Sequence, residues 1–245
     1  MKLTLAEPKY LKESISIISE LVNEAKFIVS KDAIELVAMD PANVAMVIFK
    51  LLASSFVEYD VTEKVSLAIN LNNLKQILRR AKPSDIVTIQ DGDGKLTLTL
   101  KGNTNRKFSI PVIDIEDKEQ KIPDLKFVSK IQLPSAVLNE AIEDVDIVGE
   151  SVGFLADENL FTVEAEGDLS NAKIEIKPGD DAKIQSRSSS KAKYSVEYLK
   201  KMVSASKLAD KVELQFSNDY PLRLDYKTVD KVMLSFILAP RVENE

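Results

Sequence analysis

The sequence predicts an α+β protein made of two topologically similar domains, each with antiparallel sheets and two helices. Three observations predict this class. The apolar pattern of the first half recurs in the second half, and four segments have the 3/4 apolar spacing of a helix with one buried face. The segments between them alternate polar and apolar residues with the period of a strand. Runs of strands between single helices are typical of antiparallel sheets covered on one face.

The composition excludes several kinds of chemistry. The 245 residues are 44% hydrophobic, which is enough for one large core or two smaller ones. The chain has no Cys and no His, so disulfides, thiol nucleophiles and the commonest general base and zinc ligand are excluded. We expect neither a metal nor a cofactor. The net charge of −6 argues against a protein that coats nucleic acid by charge alone.

The two halves repeat each other with little slippage. At an offset of 127 residues, apolar positions match without a gap from Leu11 and Leu138 to Phe49 and Ile176. At an offset of 125 residues, the match continues through the segment that begins at Leu74. Each half also contains two similar quarters, in which a helix is followed by alternating strands. A duplicated domain explains this pattern.

The elements follow from local patterns. Helices are predicted over residues 8–24, 72–82, 135–148 and 195–207. Strands are predicted over 95–100 and 173–177, and Asp91-Gly92-Asp93-Gly94 predicts a hairpin turn before the first of these. The acidic stretch 114–124 contains Pro123 and separates the halves. We therefore expect a first domain over 1–113, a linker over 114–126 and a second domain over 127–245.

Positive charge is concentrated on two of the four predicted helices. In the second helix Lys75, Arg79 and Lys82 fall at i, i+4 and i+7, opposite the apolar residues, with Arg80 beside them. The other basic residues on the predicted helices are Lys9 and Lys12 in the first and Lys200, Lys201 and Lys207 in the fourth. The third helix is acidic, with Glu140, Glu143, Asp144 and Asp146. The basic faces are either ordinary solvated surfaces or surfaces that contact a phosphate backbone.

Specific segments carry a family resemblance. These are Ala38-Met39-Asp40-Pro41 after the early strands, the helix opening at residues 70–78 (NLNNLKQIL), and the closing Leu238-Ala239-Pro240-Arg241. Together they resemble the sliding clamps of archaeal and eukaryotic replication, the proliferating cell nuclear antigen family. The similarity runs nearly from end to end of the chain.

The resemblance implies a DNA clamp fold and a non-enzymatic processivity factor. Three subunits would form a homotrimeric ring with helices lining the hole, and double-stranded DNA would be encircled without sequence specificity. The residues expected to face DNA are Lys9, Lys12, Lys75, Arg79, Arg80, Lys82, Lys200, Lys201 and Lys207. Ring closure would join two strands of neighbouring subunits. The residues expected at this interface are Arg106, Lys107, Phe108, Ser109, Ile110, Pro111, Ala172, Lys173, Ile174, Glu175, Ile176 and Lys177.

The resemblance also implies an apolar pocket beside the linker that accepts short peptide motifs. Partners would be the replicative DNA polymerase, the clamp loader, flap endonuclease and DNA ligase, each through a helical turn with apolar and aromatic anchors. The residues that match the family's pocket are Met39, Asn43, Val44, Met46, Ile122, Pro123, Pro221, Ile237, Ala239, Pro240 and Arg241. The pattern alone would place both methionines in the core.

Two alternatives stay open at this point. Clamps of this family usually have basic residues where this chain has Glu140 and Glu143, which indicates either lineage drift or an obligate heterotrimer completed by paralogues. An enzyme would have to use a carboxylate pair, either Asp91 with Asp93 or Asp180 with Asp181. Both pairs lie in turn-like stretches where acids are ordinary, and the sequence has no Gly-rich phosphate loop.

The sequence shows no sign of membrane association. The first six residues do not read as a targeting signal, and no run approaches the roughly 20 apolar residues of a membrane span. We expect a cytoplasmic, nucleoid-associated protein with no membrane partner.

Overall fold

The computed structural model describes residues 1–115 and 120–241. The predicted linker over 114–126 and the end of the predicted second domain therefore lie partly outside the described residues. The chain divides into two compact units. The first unit comprises Met1–Pro41, Val47–Ile122 and Thr228–Leu234, and the second comprises Ala42–Met46, Pro123–Lys227 and Ser235–Glu245, each as far as it is described.

The described residues form four α-helices and eighteen strands. The helices are α1 (Lys9–Ile18), α2 (Leu71–Arg79), α3 (Ser135–Asp146) and α4 (Val196–Val203). The strands of the first half are β1 (Lys2–Leu5), β2 (Glu24–Val29), β3 (Ala33–Met39), β4 (Ala45–Leu52), β5 (Glu58–Asp60), β6 (Val65–Asn70), β7 (Ile86–Gly92), β8 (Lys95–Lys101) and β9 (Asn105–Pro111). The strands of the second half are β10 (Ser129–Pro134), β11 (Ser151–Ala156), β12 (Phe161–Glu166), β13 (Asn171–Ile176), β14 (Lys183–Ser186), β15 (Ser190–Ser195), β16 (Lys211–Phe216), β17 (Leu222–Thr228) and β18 (Val232–Leu238).

The strand order of the first half recurs in the second half with every strand number raised by nine. In the first half the orders are β5-β1-β7-β8-β9 and β4-β3-β2-β6. In the second half they are β14-β10-β16-β17-β18 and β13-β12-β11-β15. Neighbours such as β7 with β8 and β11 with β12 pair antiparallel. The predicted α+β class with two topologically similar halves is confirmed.

The sequence offsets correspond to structural equivalence. An offset of 127 residues carries Glu24–Val29 onto Ser151–Ala156, which are β2 and β11. An offset of 125 residues carries the start of α2 at Leu71 onto the start of α4 at Val196. The apolar repeat therefore reports a repeated βαβββ unit, in which one helix follows the first strand of each quarter.

Each helix buries one face, as its apolar spacing predicts. In α2 the buried residues are Leu71, Leu74, Ile77 and Leu78. The N-terminus of α2 is capped by Asn70, whose side chain accepts a hydrogen bond of 3.1 Å from the Asn73 N–H. Burial of these side chains holds each helix on its own unit, because an isolated helix of this length is marginal in water.

The core of the second unit contains a cluster of aromatic rings. Phe154 is fully buried, and its ring centroid lies 5.4 Å from those of Phe161 and Tyr194 and 6.0 Å from that of Phe216. Edge-to-face and tilted pairs of this kind add to the free energy gained from area burial.

Three helices end earlier than predicted. The first was predicted to reach residue 24 and the third residue 148, but α1 ends at Ile18 and α3 at Asp146. Pairing explains why the first helix does not reach residue 24, because β2 already begins at Glu24 opposite Asn70. The second helix was predicted to include Lys82 but ends at Arg79, since Pro83 disfavours helical backbone at the residue before it. The fourth continues from α4 as a 3₁₀ turn at Ser204–Lys207.

The predicted hairpin turn is confirmed. Gly92 pairs with Lys95, so Asp93 and Gly94 form a two-residue loop between β7 and β8. Both residues have positive φ, +52° and +68°, which is the backbone of a type I′ turn. Glycine at position 94 is therefore required by the conformation.

Candidate nucleic-acid and subunit interfaces

In the first unit α1 packs beside α2, and several predicted DNA-facing cations have partners within this unit. Lys75 forms an ion pair with Glu20, and its side chain is only 21% exposed. The Lys12 Nζ donates a hydrogen bond of 3.0 Å to the Ala81 carbonyl. The Lys9 ammonium lies 6.0 Å from the centroid of the Tyr10 ring, at the outer limit of a cation–π contact. Part of the predicted positive surface is therefore already engaged.

Of the predicted DNA-facing cations of the first unit, those with no partner among the described residues lie at the end of α2. We call residues 79–82 the basic turn. Arg79, Arg80 and Lys82 are exposed, and within residues 1–115 and 120–241 none of their side chains is paired with a carboxylate. Lys82 lies beyond the helix, so the predicted helical spacing from Lys75 is wrong, but the three cations still fall within four residues of one turn. They can contact phosphate without first breaking an ion pair.

In the second unit, acidic residues neutralise two of the three predicted cations. The Lys200 Nζ lies 2.6 Å from an Asp146 oxygen, which joins α4 to α3. The Lys201 Nζ donates a hydrogen bond of 2.9 Å to Glu197, which lowers the pKa of that carboxyl group. Lys207 is exposed at the end of the 3₁₀ turn. One acid of the third helix therefore has a partner on the fourth helix of the same unit.

The other acids of α3 are exposed. The Asn139 Nδ2 donates a hydrogen bond of 2.7 Å to a Glu143 oxygen, one turn further along the same helix. Glu140 and Asp144 also face solvent. The unusual acidic character of this helix is therefore only partly explained by its pair with Lys200.

A buried carboxylate below the basic turn was not identified from the sequence. Asp85 is 2% exposed, and its Oδ2 accepts hydrogen bonds from the Lys82 N–H (2.8 Å) and the Arg106 Nη2 (2.5 Å). The Lys82 N–H contributes most to lowering the pKa of Asp85, burial opposes it, and the Arg106 charge lowers it further. Asp85 and Asp210 match in the repeat, but that match gives no partner.

The two strands predicted to close a ring are both edge strands of their sheets. β9 is the last strand of its sheet in the first unit, and β13 is the last strand of its sheet in the second unit. In β9, Lys107, Ser109 and Pro111 are exposed, Arg106 and Phe108 are half-buried and Ile110 is buried. Proline is tolerated at an edge because its missing N–H is not needed there.

The β13 edge alternates in the same way. Lys173 and Glu175 are exposed, Ala172, Ile174 and Ile176 are half-buried, and Lys177 lies just beyond the strand. The Lys173 Nζ lies 2.7 Å from a Glu175 oxygen, and their hydrogen bond raises the pKa of Lys173 and lowers that of Glu175. The β9 edge carries two cations, of which Arg106 is paired with Asp85 and Lys107 is exposed.

The residues predicted for the peptide pocket fall in both units, and each is described within its own unit. In the first unit Met39 is half-buried and Ile122 is 46% exposed. In the second unit Asn43, Pro123 and Arg241 are exposed, Val44, Pro221, Ala239 and Pro240 are half-buried, and Met46 and Ile237 are each 7% exposed. The core position that the pattern gives to Met46 is therefore correct.

Hydrogen bonds hold the chain end of the second unit in place. The Ala239 N–H donates to the Val44 carbonyl at 2.9 Å, and the Arg241 N–H donates to the Lys193 carbonyl at 2.7 Å. The Arg241 Nη1 also donates to the Glu150 carbonyl at 3.1 Å. Asn43 has a φ of +57°, a conformation that asparagine tolerates better than most residues. These contacts fix the backbone on which Pro240 and Arg241 are presented.

The carboxylate pairs considered for catalysis lie at a chain terminus contact, in a hairpin turn or in an exposed loop. The Asp91 Oδ1 lies 2.5 Å from the Met1 amino group, and Asp93 forms the hairpin turn. Asp180 and Asp181 are exposed between β13 and β14. In the part of the chain that the structure describes, no group of three or more acidic residues is arranged to hold a metal ion.

Among the described helices, none is long and apolar enough to span a membrane.

Two domain families match the chain. The N-terminal domain of proliferating cell nuclear antigen matches residues 1–122, and the C-terminal domain matches residues 121–241. The "DNA polymerase sliding clamp" of Pyrococcus furiosus is 35% identical over 238 residues, 96% of each chain. That of Nanoarchaeum equitans is 33% identical over 247 residues, 98% of this chain and 99% of the relative. The crystal structure of PCNA from Thermococcus kodakaraensis superimposes with a TM-score of 0.91 at 27% identity, covering 98% of this chain and 99% of that one.

The duplicated halves, each built from two βαβββ quarters and with the same strand order, define the DNA clamp fold. Both domain matches and the relatives agree over nearly the whole length. The chain belongs to the proliferating cell nuclear antigen family, and the resemblance noted in the sequence is confirmed.

Proposed function

We propose that this protein is a DNA polymerase sliding clamp, a processivity factor that encircles duplex DNA as a ring of three identical subunits. The observation that carries the proposal is the match of both halves of the chain to the two domains of the family, with relatives of the same length named as DNA polymerase sliding clamps. This role would place the protein with the chromosome. The proposed domains are 1–113 and 127–245, joined by a linker over 114–126.

The two edge strands support assembly from one kind of subunit. β9 and β13 are different surfaces on one chain, so an interface between them is heterologous and can close into a ring. Pairing of these edges would satisfy backbone groups that an isolated edge leaves to solvent. The proposed interface consists of residues 106–111 of one subunit and 172–177 of the next.

Weak phosphate contacts suit a ring that holds DNA by topology. The chain has a net charge of −6, so a tight electrostatic grip on DNA is not expected. Arg79, Arg80 and Lys82 are free to contact phosphate. Lys75 and Lys200 would first have to break an ion pair with a carboxylate before they could bind phosphate. Contacts of this strength would be made and broken as the ring slides.

The proposed docking role rests on the pocket that the family resemblance implies. Ile122 is an exposed apolar side chain beside Pro123, and Pro240 is half-buried on a backbone held by hydrogen bonds. An exposed apolar anchor on a linker is typical of a surface that receives peptide anchors. The proposed partners are the replicative polymerase, the clamp loader, flap endonuclease and DNA ligase, each through a short peptide.

Assembly and retention on DNA test the proposed function. Light scattering should give three copies of 27.2 kDa, about 82 kDa, across a range of concentrations. A ring loaded onto nicked circular DNA should stay bound in high salt and leave when the circle is cut once. A stable mass of one subunit contradicts the homotrimer, and equal retention on circular and linear DNA contradicts encirclement.

The docking site has a separate test. Ile122→Asp should weaken binding of a polymerase C-terminal peptide at least about tenfold, because a charge would replace an apolar anchor. Leu169→Asp is the matched control, since Leu169 is fully exposed in the β12–β13 loop. Both substitutions change surface residues, so the thermal midpoint of either variant should stay near that of the wild type. Equal affinity of both variants and the wild type would remove Ile122 from the pocket.

A further inference from the structure

Side chains from three places in the first unit hold the backbone of the basic turn. The Arg106 Nη1, from β9, donates to the Arg80 carbonyl at 3.0 Å. The Lys12 Nζ, from α1, donates to the Ala81 carbonyl at 3.0 Å. The Lys82 N–H donates to the Asp85 Oδ2 at 2.8 Å. The backbone of three consecutive residues, Arg80, Ala81 and Lys82, is thus held by side chains, while the cationic side chains of Arg80 and Lys82 are left exposed.

Asp85 connects this turn to the edge strand. Its Oδ2 accepts from both the Lys82 N–H and the Arg106 Nη2, so one oxygen joins the basic turn to β9. The planar guanidinium of Arg106 spans the Asp85 carboxylate and the Arg80 carbonyl with its two terminal nitrogens, a fixed geometry that lysine cannot reproduce. Any shift of β9 at Arg106 is therefore transmitted to the turn.

The backbone of Gly102 lies close to the Asp85 carboxylate. A Cβ added at Gly102, in the turn between β8 and β9, would lie 2.1 Å from the Asp85 Oδ1. A side chain at position 102 would therefore have to displace the Asp85 carboxylate. The same turn is closed by a hydrogen bond of 3.2 Å from the Gly102 N–H to the Thr104 carbonyl. Asp85 is enclosed by the turn on one side and by Arg106 on the other.

The Arg106 side chain points towards Asp85 and the Arg80 carbonyl rather than into solvent. Its Nε is buried and has no hydrogen-bond acceptor among the described residues, although a buried unsatisfied N–H is costly. The two Nη contacts compensate for that cost, because charge-assisted hydrogen bonds are stronger than neutral ones. An arginine that served only solubility at an edge strand would extend into water.

We infer that Asp85 is a positioning residue that ties the phosphate contacts of the basic turn to the pairing of β9 with a neighbouring subunit. The inference rests on the proposed function, since it takes β9 as a ring edge and the basic turn as a DNA contact. Pairing of β9 with the neighbouring subunit orders the Arg106 side chain. Arg106 and Asp85 together then order the basic turn. The turn in its ordered state presents Arg79, Arg80 and Lys82 at fixed positions. Subunit assembly and DNA contact then respond together to one buried carboxylate.

The test compares Asp85→Asn with two single-function controls in the full-length protein. The trimer dissociation constant is measured by dilution, and affinity for a short linear duplex is measured at several salt concentrations, all below the thermal midpoint of each variant. Asp85→Asn should raise the trimer dissociation constant about tenfold and lower duplex affinity in assembled rings by a similar factor, since it weakens charge-assisted hydrogen bonds. Arg80→Gln should leave the trimer dissociation constant unchanged, while it weakens duplex binding and lowers its salt dependence by a slope of about 0.9 for each Arg80 that contacts a phosphate. Lys107→Gln, next to Arg106 but exposed, should leave duplex affinity of assembled rings unchanged.

Two further variants cover the case in which Asp85→Asn fails to fold. Gly102→Ala displaces the carboxylate without changing any charge and should alter both quantities in the same direction. Arg106→Lys keeps the charge but loses one of the two contacts, so its effects should be smaller than those of Asp85→Asn. A change in thermal midpoint alone, or a change in only one of the two binding quantities, would overturn the inference. A wild type that neither trimerises nor binds duplex would instead overturn the proposed function.

Discussion

The ion pairs of the first unit predict how much Lys75 contributes to DNA binding. A basic residue on α2 would ordinarily be expected to contribute to DNA binding, but Lys75 is paired with Glu20 and is mostly shielded from solvent. Arg80, a few residues later, is exposed and has no carboxylate partner among the described residues. We expect Lys75→Gln to leave duplex affinity nearly unchanged, Arg80→Gln to weaken it, and Glu20→Gln to strengthen it by releasing Lys75.

The magnitude follows from counterion release. Each cation that neutralises a phosphate contributes about 0.9 to the slope of log affinity against log salt concentration. Between about 50 and 200 mM salt, one such contact corresponds to a factor of about 3.5 in affinity. Arg80→Gln should therefore lower the slope by about 0.9, Lys75→Gln by close to zero, and Glu20→Gln should raise it by up to about 0.9 per subunit.

The assay is fluorescence anisotropy with a short labelled duplex, repeated at four or more salt concentrations. The mass of each variant is checked by light scattering, so that a lost trimer is not mistaken for a lost phosphate contact. If Lys75→Gln lowers the slope as much as Arg80→Gln, then DNA displaces Glu20 from Lys75 and the reasoning from the ion pair fails. An unchanged slope for Glu20→Gln would lead to the same conclusion.

Three other predictions concern stability. Phe154→Ala should lower the free energy of unfolding by about 3–5 kcal/mol, because it opens a cavity among three other rings. Leu169→Ala on the surface should change that free energy by less than about 0.5 kcal/mol. Calorimetry of the two variants distinguishes these outcomes. Gly94→Ala should cost about 1 kcal/mol, since its φ of +68° strains any residue with a Cβ, and chemical denaturation would reveal a cost near zero if the turn can change type. The lowered pKa of Asp85 means that its contribution to stability is complete above its ordinary pKa of 3.8 and is lost as the pH falls below that value. Acid titration of unfolding should therefore be less steep in Asp85→Asn, and identical acid profiles would contradict the assignment.

Much of the fold could be predicted because the repeat supplies its own test. A pattern that recurs at a fixed offset has to satisfy the same burial twice, and the offset of 127 residues carries β2 onto β11 without a shift. The Asp-Gly loop was equally readable, since few dipeptides accept two positive φ values. Helix ends were harder to predict. The segment after α1 has to reach the start of β2 at Glu24, whose partner Asn70 lies more than forty positions away in the sequence.

The sequence predicts which helix faces carry the cations of the proposed DNA-contacting surface, but it does not predict which acidic residues pair with them. Helical spacing places Lys75 and Lys200 on polar faces, yet nothing in the local sequence shows that Glu20 and Asp146 lie across from them on neighbouring helices. Asp85 was missed for the same reason, because its partner Arg106 comes from a different strand. Sequence periodicity reports which face is exposed, whereas ion pairs between elements depend on the tertiary fold.

The two unlike edges have a consequence for mixtures of subunits. If a ring needs both β9 and β13 from every member, a copy with one damaged edge can still join through its other edge and then stop the ring from closing. In a cell with equal amounts of sound and damaged copies, only about one trimer in eight would contain sound copies alone. Under the proposed function, a β13 defect in half of the copies would therefore inhibit ring closure dominantly, far beyond the loss of half the protein.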